Sequence, residues 1–259
     1  MENGIFKQLQ SKSKNLYNRI KRNIEAPKKK REFLKRSTQF YSQFVNPGDL
    51  SFDVGANVGN RIDPMLKIGA RVVAVEPQEK CYKYLQSKFG SKIQLVTKGL
   101  GESEGTMSFF VSNASTISSF SKEWIDAVKE DRFKNYQWEA VENVEITTLD
   151  NVIQQFGRPK FIKIDVEGFE LEVLKGLSQP IGCISYEYTI PEQTEKAINC
   201  MKRIHEINPD IECNYSVGET MELAMNKWLS FDEMISFMTT KSFIDTSFGD
   251  IYVRTKGLS

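Results

Sequence analysis

Histidine and cysteine are scarce in this chain. One histidine, His205, and four cysteines, Cys81, Cys183, Cys200 and Cys213, occur without a C-x-x-C pair. That scarcity argues against a zinc site and against a disulfide framework, so the thiols are expected to be reduced. Long apolar runs are missing as well. No stretch approaches the roughly 20 residues needed to cross a bilayer, and no apolar signal-peptide core follows the N-terminus, which makes the cytoplasm the expected location. Internal repeats, low-complexity tracts and RNA- or DNA-binding motifs are also absent, so nucleic acid is not an expected partner.

What is present is enough apolar material for one sizeable α/β domain with an appendage: 259 residues, 40% of them hydrophobic. The net charge is only +1, but it is unevenly spread. Residues 1–36 hold twelve Lys/Arg and three acids, whereas the remainder is acidic, which divides the chain near Ser37 into a basic segment, 1–36, and a domain, 37–259. Ile5, Leu9, Leu16, Ile20 and Ile24 fall near one face of a helix in that segment, and Pro27 interrupts it before Lys28-Lys29-Lys30-Arg31. The plain reading is a solvated helix packing its stripe on the domain. The rival is peripheral contact with an anionic acceptor or the negative face of a membrane.

The domain is organised around Phe52-Asp53-Val54-Gly55-Ala56-Asn57-Val58-Gly59-Asn60 and Ala70-Arg71-Val72-Val73-Ala74-Val75-Glu76-Pro77. Two short buried strands are expected here, the first ending in a glycine turn and the second at an acid. That is a nucleoside-binding half of an open α/β sheet, with the acid placed to accept bonds from ribose hydroxyls. A dinucleotide fingerprint starting at Gly55 needs glycines where Asn57 and Asn60 stand, so a pyrophosphate ligand is disfavoured. The spacing of Asp53, Gly55, Asn57 and Gly59 instead resembles the cofactor loop of class I S-adenosylmethionine (SAM) methyltransferases. Asp63-Pro64 then reads as an N-cap and first helical position, later than such a loop wants.

Further along, Glu79–Phe89 and Ile93–Val96 are expected as helix and strand, and Leu100 lies where an adenine ring would sit. Gly105–Val111 and Asn143–Leu149 alternate as strands, 113–121 is a serine-rich loop with the position of a lid, and Asp150 is the expected cap of the next helix. Phe161–Val166 is a fourth buried strand that carries Lys163 and Asp165 on one face, costly there unless paired or functional. A fifth strand, Cys183–Tyr188, ends at Glu187. Helices and strands continue to alternate to residue 254.

Four blocks, Asp53 to Gly59, Val75-Glu76-Pro77, Thr148-Leu149-Asp150-Asn151 and Lys163-Ile164-Asp165-Val166-Glu167-Gly168-Phe169-Glu170, together resemble the FkbM family of class I methyltransferases. The resemblance implies a Rossmann-like α/β fold, a mostly parallel sheet with helices on both faces and an antiparallel last strand. It also implies SAM as methyl donor and O-methylation, often of a sugar or secondary metabolite. Carried onto this chain, it places SAM on Asp53, Gly55, Asn57, Gly59, Asn60, Glu76 and the Leu100 region.

Methyl transfer is an in-line displacement, so positioning supplies much of the catalysis and a base adds to it. Asp165 is the expected base, paired with Lys163, with Glu167 and Glu187 lining the acceptor side. These acids suit a hard cation too, but a cationic cofactor explains them, and no metal is expected. His205 is placed away from the strand tips. An N-methyltransferase acting on nucleic acid would carry an Asn/Asp-Pro-Pro-aromatic loop where Asp165-Val166-Glu167-Gly168 stands. The alternative from another class is a noncatalytic SAM-binding or scaffold protein docking a partner through its basic N-terminus.

Overall fold

The structure, a computed structural model, describes residues 28–257, so the apolar stripe from Ile5 to Ile24 lies outside the described residues. A helix, α1, is described over 28–41. Ser37, where the charge composition changes, lies inside it and is fully buried. The end of α1 and the turn after it bury Phe40, Tyr41, Phe44 and Val45. Phe44 stacks at 5.6 Å on Phe161 and at 5.2 Å on Tyr252, which fixes the segment to the sheet.

The main sheet has eight strands. In chain order they are β1 (Leu50–Val54), β2 (Arg71–Val75), β3 (Ile93–Val96), β7 (Phe161–Ile164), β8 (Cys183–Thr189), β9 (Ile211–Val217), β10 (Leu229–Ser230) and β11 (Phe248–Thr255). Their spatial order is β10-β9-β11-β8-β7-β1-β2-β3. Strands β3, β2, β1, β7 and β8 run parallel, and the last strand, β11, inserts antiparallel between β8 and β9. The order steps outward from β1 in both directions, and the crevice at that switch point is where open α/β sheets take ligands.

Alternation along the strands feeds two cores. Val72 and Ala74 pack with α1, α2 (Ile62–Ile68) and α3 (Glu79–Phe89), whereas Val73 and Val75 face the layer holding α5 (Leu149–Phe156), α6 (Glu170–Lys175), α7 (Thr194–Ile207) and α8 (Phe231–Met238). A second sheet of three strands, β4 (Gly99–Leu100), β6 (Trp138–Thr147) and β5 (Gly105–Ser112), stands beside the first. Two short helices, α4 (Lys122–Val128) and α9 (Lys241–Ile244), complete the described α-helices.

Several local expectations are corrected. Helix α2 begins at Ile62, with Asp63 and Pro64 inside its first turn, so it starts earlier than Asp63-Pro64 predicts. The Asp63 carboxylate does not cap the helix but pairs with Lys88 at 2.7 Å. Thr148, not Asp150, caps α5 by accepting from the Asn151 N–H at 3.1 Å. Asp150 accepts instead from the Ser178 N–H. The fourth strand stops at Ile164, which leaves Asp165 and Val166 in the turn beyond its tip.

Candidate active site

A cavity of about 660 Å³ opens over the carboxyl ends of the parallel strands. Of the residues singled out from the sequence, Asp53, Gly55, Asn57, Asn60, Glu76, Leu100, Asp165, Glu167 and Glu187 all line it. Two do not. Gly59 sits in the loop at φ +76°, and a Cβ there would come 2.5 Å from the Phe89 ring, so it packs the loop on α3. Lys163 is 1% exposed and lies beneath the cavity, donating to Asp250 at 2.7 Å and to Asp165 at 3.1 Å.

The glycine loop is shaped by close backbone approach. Gly55, at φ +82°, faces the Asp165 carbonyl so tightly that a Cβ would lie 1.8 Å from that oxygen. Asn57 adopts φ +45°, which turns its N–H toward Glu76 Oε2 at 2.8 Å. The other Glu76 oxygen accepts from the Gln78 N–H at 2.8 Å. Burial nevertheless pushes the Glu76 carboxyl up to about 7. Asp53 is buried too, and its Oδ2 has no hydrogen-bond partner. Burial raises its carboxyl to about 6 against the pull of Lys163 and Arg61.

At the β7 and β8 tips, Asp165, Glu167 and Glu187 each place a carboxylate oxygen within 4.8 Å of the other two. Their environments push them apart. Burial raises Asp165, but Lys163 and then Arg61 outweigh it and hold its carboxyl below the ordinary value. Glu167 and Glu187 are held well above theirs by burial and by the neighbouring Asp165 charge. Glu167 has φ +55°, a conformation few side-chain-bearing residues adopt. The turn around it is organised by Glu170, whose Oε1 accepts from the Val166 and Gly168 N–H groups at 3.0 and 3.2 Å.

The remaining walls come from Phe109, Phe33 and Arg61, which the sequence did not single out, and from the serine-rich loop, which it did. Phe109 and Phe120, ring centroids 4.6 Å apart, stand beside Leu100 and provide an apolar face for a flat ring. The serine-rich loop closes this side. It is tied down by Gln78 to Ser118 at 3.2 Å, by Ser115 to Asn57 at 3.3 Å and by Ser119 to the Glu167 carbonyl at 2.7 Å. Arg61, paired with Glu219, lines the mouth with Phe33. His205 stacks on Phe231 at 3.9 Å and does not line the cavity.

Residues 53–249 match the Methyltransferase FkbM domain. The chain belongs to the FkbM methyltransferase family. SAM is therefore its cofactor, and the residues present fit that cofactor. Two buried carboxylates, one with an unpartnered oxygen, line a cavity of the volume small-molecule sites have, and a cationic ligand offsets the cost of ionising them. No curated protein matches the chain in sequence. Among solved structures, a precorrin-6y C5,15-methyltransferase from Geobacter metallireducens is similar at 8% identity and TM-score 0.44, over 85% of this chain and 86% of that one. A TehB-like SAM-dependent methyltransferase from Corynebacterium glutamicum is similar at 10% identity and TM-score 0.43, over 85% and 87%. A SAM-dependent O-methyltransferase from Thermotoga maritima matches at 12% identity and TM-score 0.39, over 85% and 64%. Nothing about the acceptor follows from likenesses this distant.

Proposed function

We propose that this family member transfers the methyl group of SAM to a hydroxyl oxygen of a sugar, a glycan or a related hydroxylated metabolite. When bound, the cofactor supplies an electrophilic methyl group on a cationic sulfonium. Asp53 and Glu76 would hold its cationic and ribose parts, the Gly55 to Asn60 loop would hold its chain, and Leu100 with Phe109 and Phe120 would take the adenine. The observation that carries the acceptor reading is the difference between neighbouring carboxyls. Asp165, Glu167 and Glu187 bring carboxylate oxygens within 4.8 Å of one another. At Asp165 burial is outweighed by Lys163, which holds it below the ordinary carboxyl value, while burial and the Asp165 charge hold Glu167 and Glu187 well above theirs.

An ionised Asp165 accepts a hydrogen bond from the acceptor hydroxyl, orients its lone pair, and takes the proton as the oxygen becomes an ether. Glu167 and Glu187, lining the same cavity, hydrogen-bond neighbouring hydroxyls of a polyol. Lys163 is buried and does not line the cavity. It is a positioning residue that fixes Asp165 from below and is itself fixed by Asp250.

The test is release of S-adenosylhomocysteine from SAM in the presence of hydroxylated sugars and glycans, with Asp165→Asn alongside. Turnover is expected to fall about 100-fold or more in the nearly isosteric variant, with SAM affinity within a few-fold. Retained turnover removes Asp165 as the base. SAM binding without release on any hydroxyl acceptor favours the noncatalytic alternative.

A further inference from the structure

The cavity has a cationic wall as well as an acidic one, and the two come from different parts of the chain. Lys29 and Lys30 of α1 line the cavity beside Phe33, Arg61 and Glu219. Both lysines are exposed. Arg61 is engaged: it pairs with Glu219, and its guanidinium lies over the Phe33 ring, 5.6 Å from the centroid. Among the described residues neither lysine joins an acid in an ion pair.

We propose that Lys29 and Lys30 form the anion-binding part of the acceptor site, and that the acceptor is a phosphate-bearing glycan, its phosphate on these lysines and its hydroxyl on Asp165. This rests on the O-methyltransferase reading and narrows its substrate class. Lysine ammonium groups bind phosphate as point charges, and two lining one cavity bind it better than scattered surface charges do. Soluble sugar phosphates and lipid-linked sugar phosphates share this chemistry.

Inorganic pyrophosphate, which carries the anion without the sugar, probes the site directly in the full chain loaded with S-adenosylhomocysteine. Calorimetry is expected to show saturable binding that weakens about tenfold or more in Lys29→Gln/Lys30→Gln, and more gently as salt rises. Lys29→Arg/Lys30→Arg is expected to keep it, and S-adenosylhomocysteine affinity is expected to stay within a few-fold in every variant. No pyrophosphate binding, binding indifferent to the Gln pair, or a Gln pair that weakens S-adenosylhomocysteine instead would each overturn the proposal. Turnover on a soluble sugar 1-phosphate and on a prenyl-linked sugar phosphate then separates the two sources. Methyl transfer to neutral sugars with no preference for phosphate would remove this inference and leave the O-methyltransferase reading standing. Lysine-dependent pyrophosphate binding without hydroxyl methylation would do the reverse.

Discussion

Two buried carboxylates set the pH behaviour of the cofactor site. Asp53 at about 6 and Glu76 at about 7 both lie above their ordinary values. The folded chain therefore holds their protons more tightly than the unfolded chain does. Their contribution favours folding at acid pH and declines as pH rises through about 6 and then about 7. A cationic ligand shifts the balance the other way, because it prefers the ionised carboxylates. SAM affinity is expected to rise roughly tenfold between about pH 5.5 and about pH 7.5, and Glu76→Gln to flatten the upper part of that rise. Calorimetric titration across the range checks it, and a Kd independent of pH contradicts it. Gly55→Ala is expected to abolish measurable SAM binding, since the new Cβ meets the Asp165 carbonyl at a φ that itself costs about 1–3 kcal/mol. Normal binding by that variant would show that the loop is not rigid. Asp53, Glu76, Asp165 and Glu187 were legible in the sequence because each sits at or near a strand end, where the α/β pattern puts ligand contacts. Arg61 was not, because its partner Glu219 is 158 residues away. Asp250, which anchors Lys163 from 87 residues away, was hidden for the same reason.

At the scale of elements, the turn from β7 to α6 does the most for the site. Its shape depends on one buried acceptor, Glu170, which bonds two backbone N–H groups through a single oxygen. Glu170→Gln keeps an oxygen at that place, and Glu170→Ala removes it. The Ala variant is expected to lose about 2–4 kcal/mol and most turnover, and the Gln variant to stay near wild type in both. Chemical denaturation and steady-state rates separate the two, and equal effects would show that the charge, not the acceptor, matters. The strands and most helices were readable from period and punctuation. The start of α2 was not, because Asp63 is drawn off by Lys88 and no side chain caps that helix, and the cap of α5 was not, because Thr148 and Asp150 both stood near its end. Asp150 is drawn off by the Ser178 N–H. The three-stranded sheet was obscured in another way: β4 is only Gly99–Leu100, too short to show periodicity.

The whole molecule ties the N-terminal helix to the catalytic sheet. Phe44 lies between Phe161 and Tyr252, while Phe33 and the lysines of α1 reach the cavity. Phe44→Ala is expected to cost about 3–5 kcal/mol. It should also weaken acceptor binding more than SAM binding, because α1 supplies only the outer wall. Equilibrium unfolding and separate KM values for the two substrates check both halves. Charge composition alone divides the chain near Ser37, inside α1, because apolar packing and surface charge obey different constraints along the same helix. The central claim concerns which atom receives the methyl group and which residue prepares it. The most direct measurement is NMR of the product formed from SAM carrying a carbon-13 methyl group and a hydroxylated sugar acceptor, with wild type and Asp165→Asn compared. The account predicts the labelled carbon as an ether methyl on a sugar oxygen, formed about 100-fold or more slowly by the variant. Label on nitrogen or carbon, or an ether formed equally fast by the variant, would contradict it.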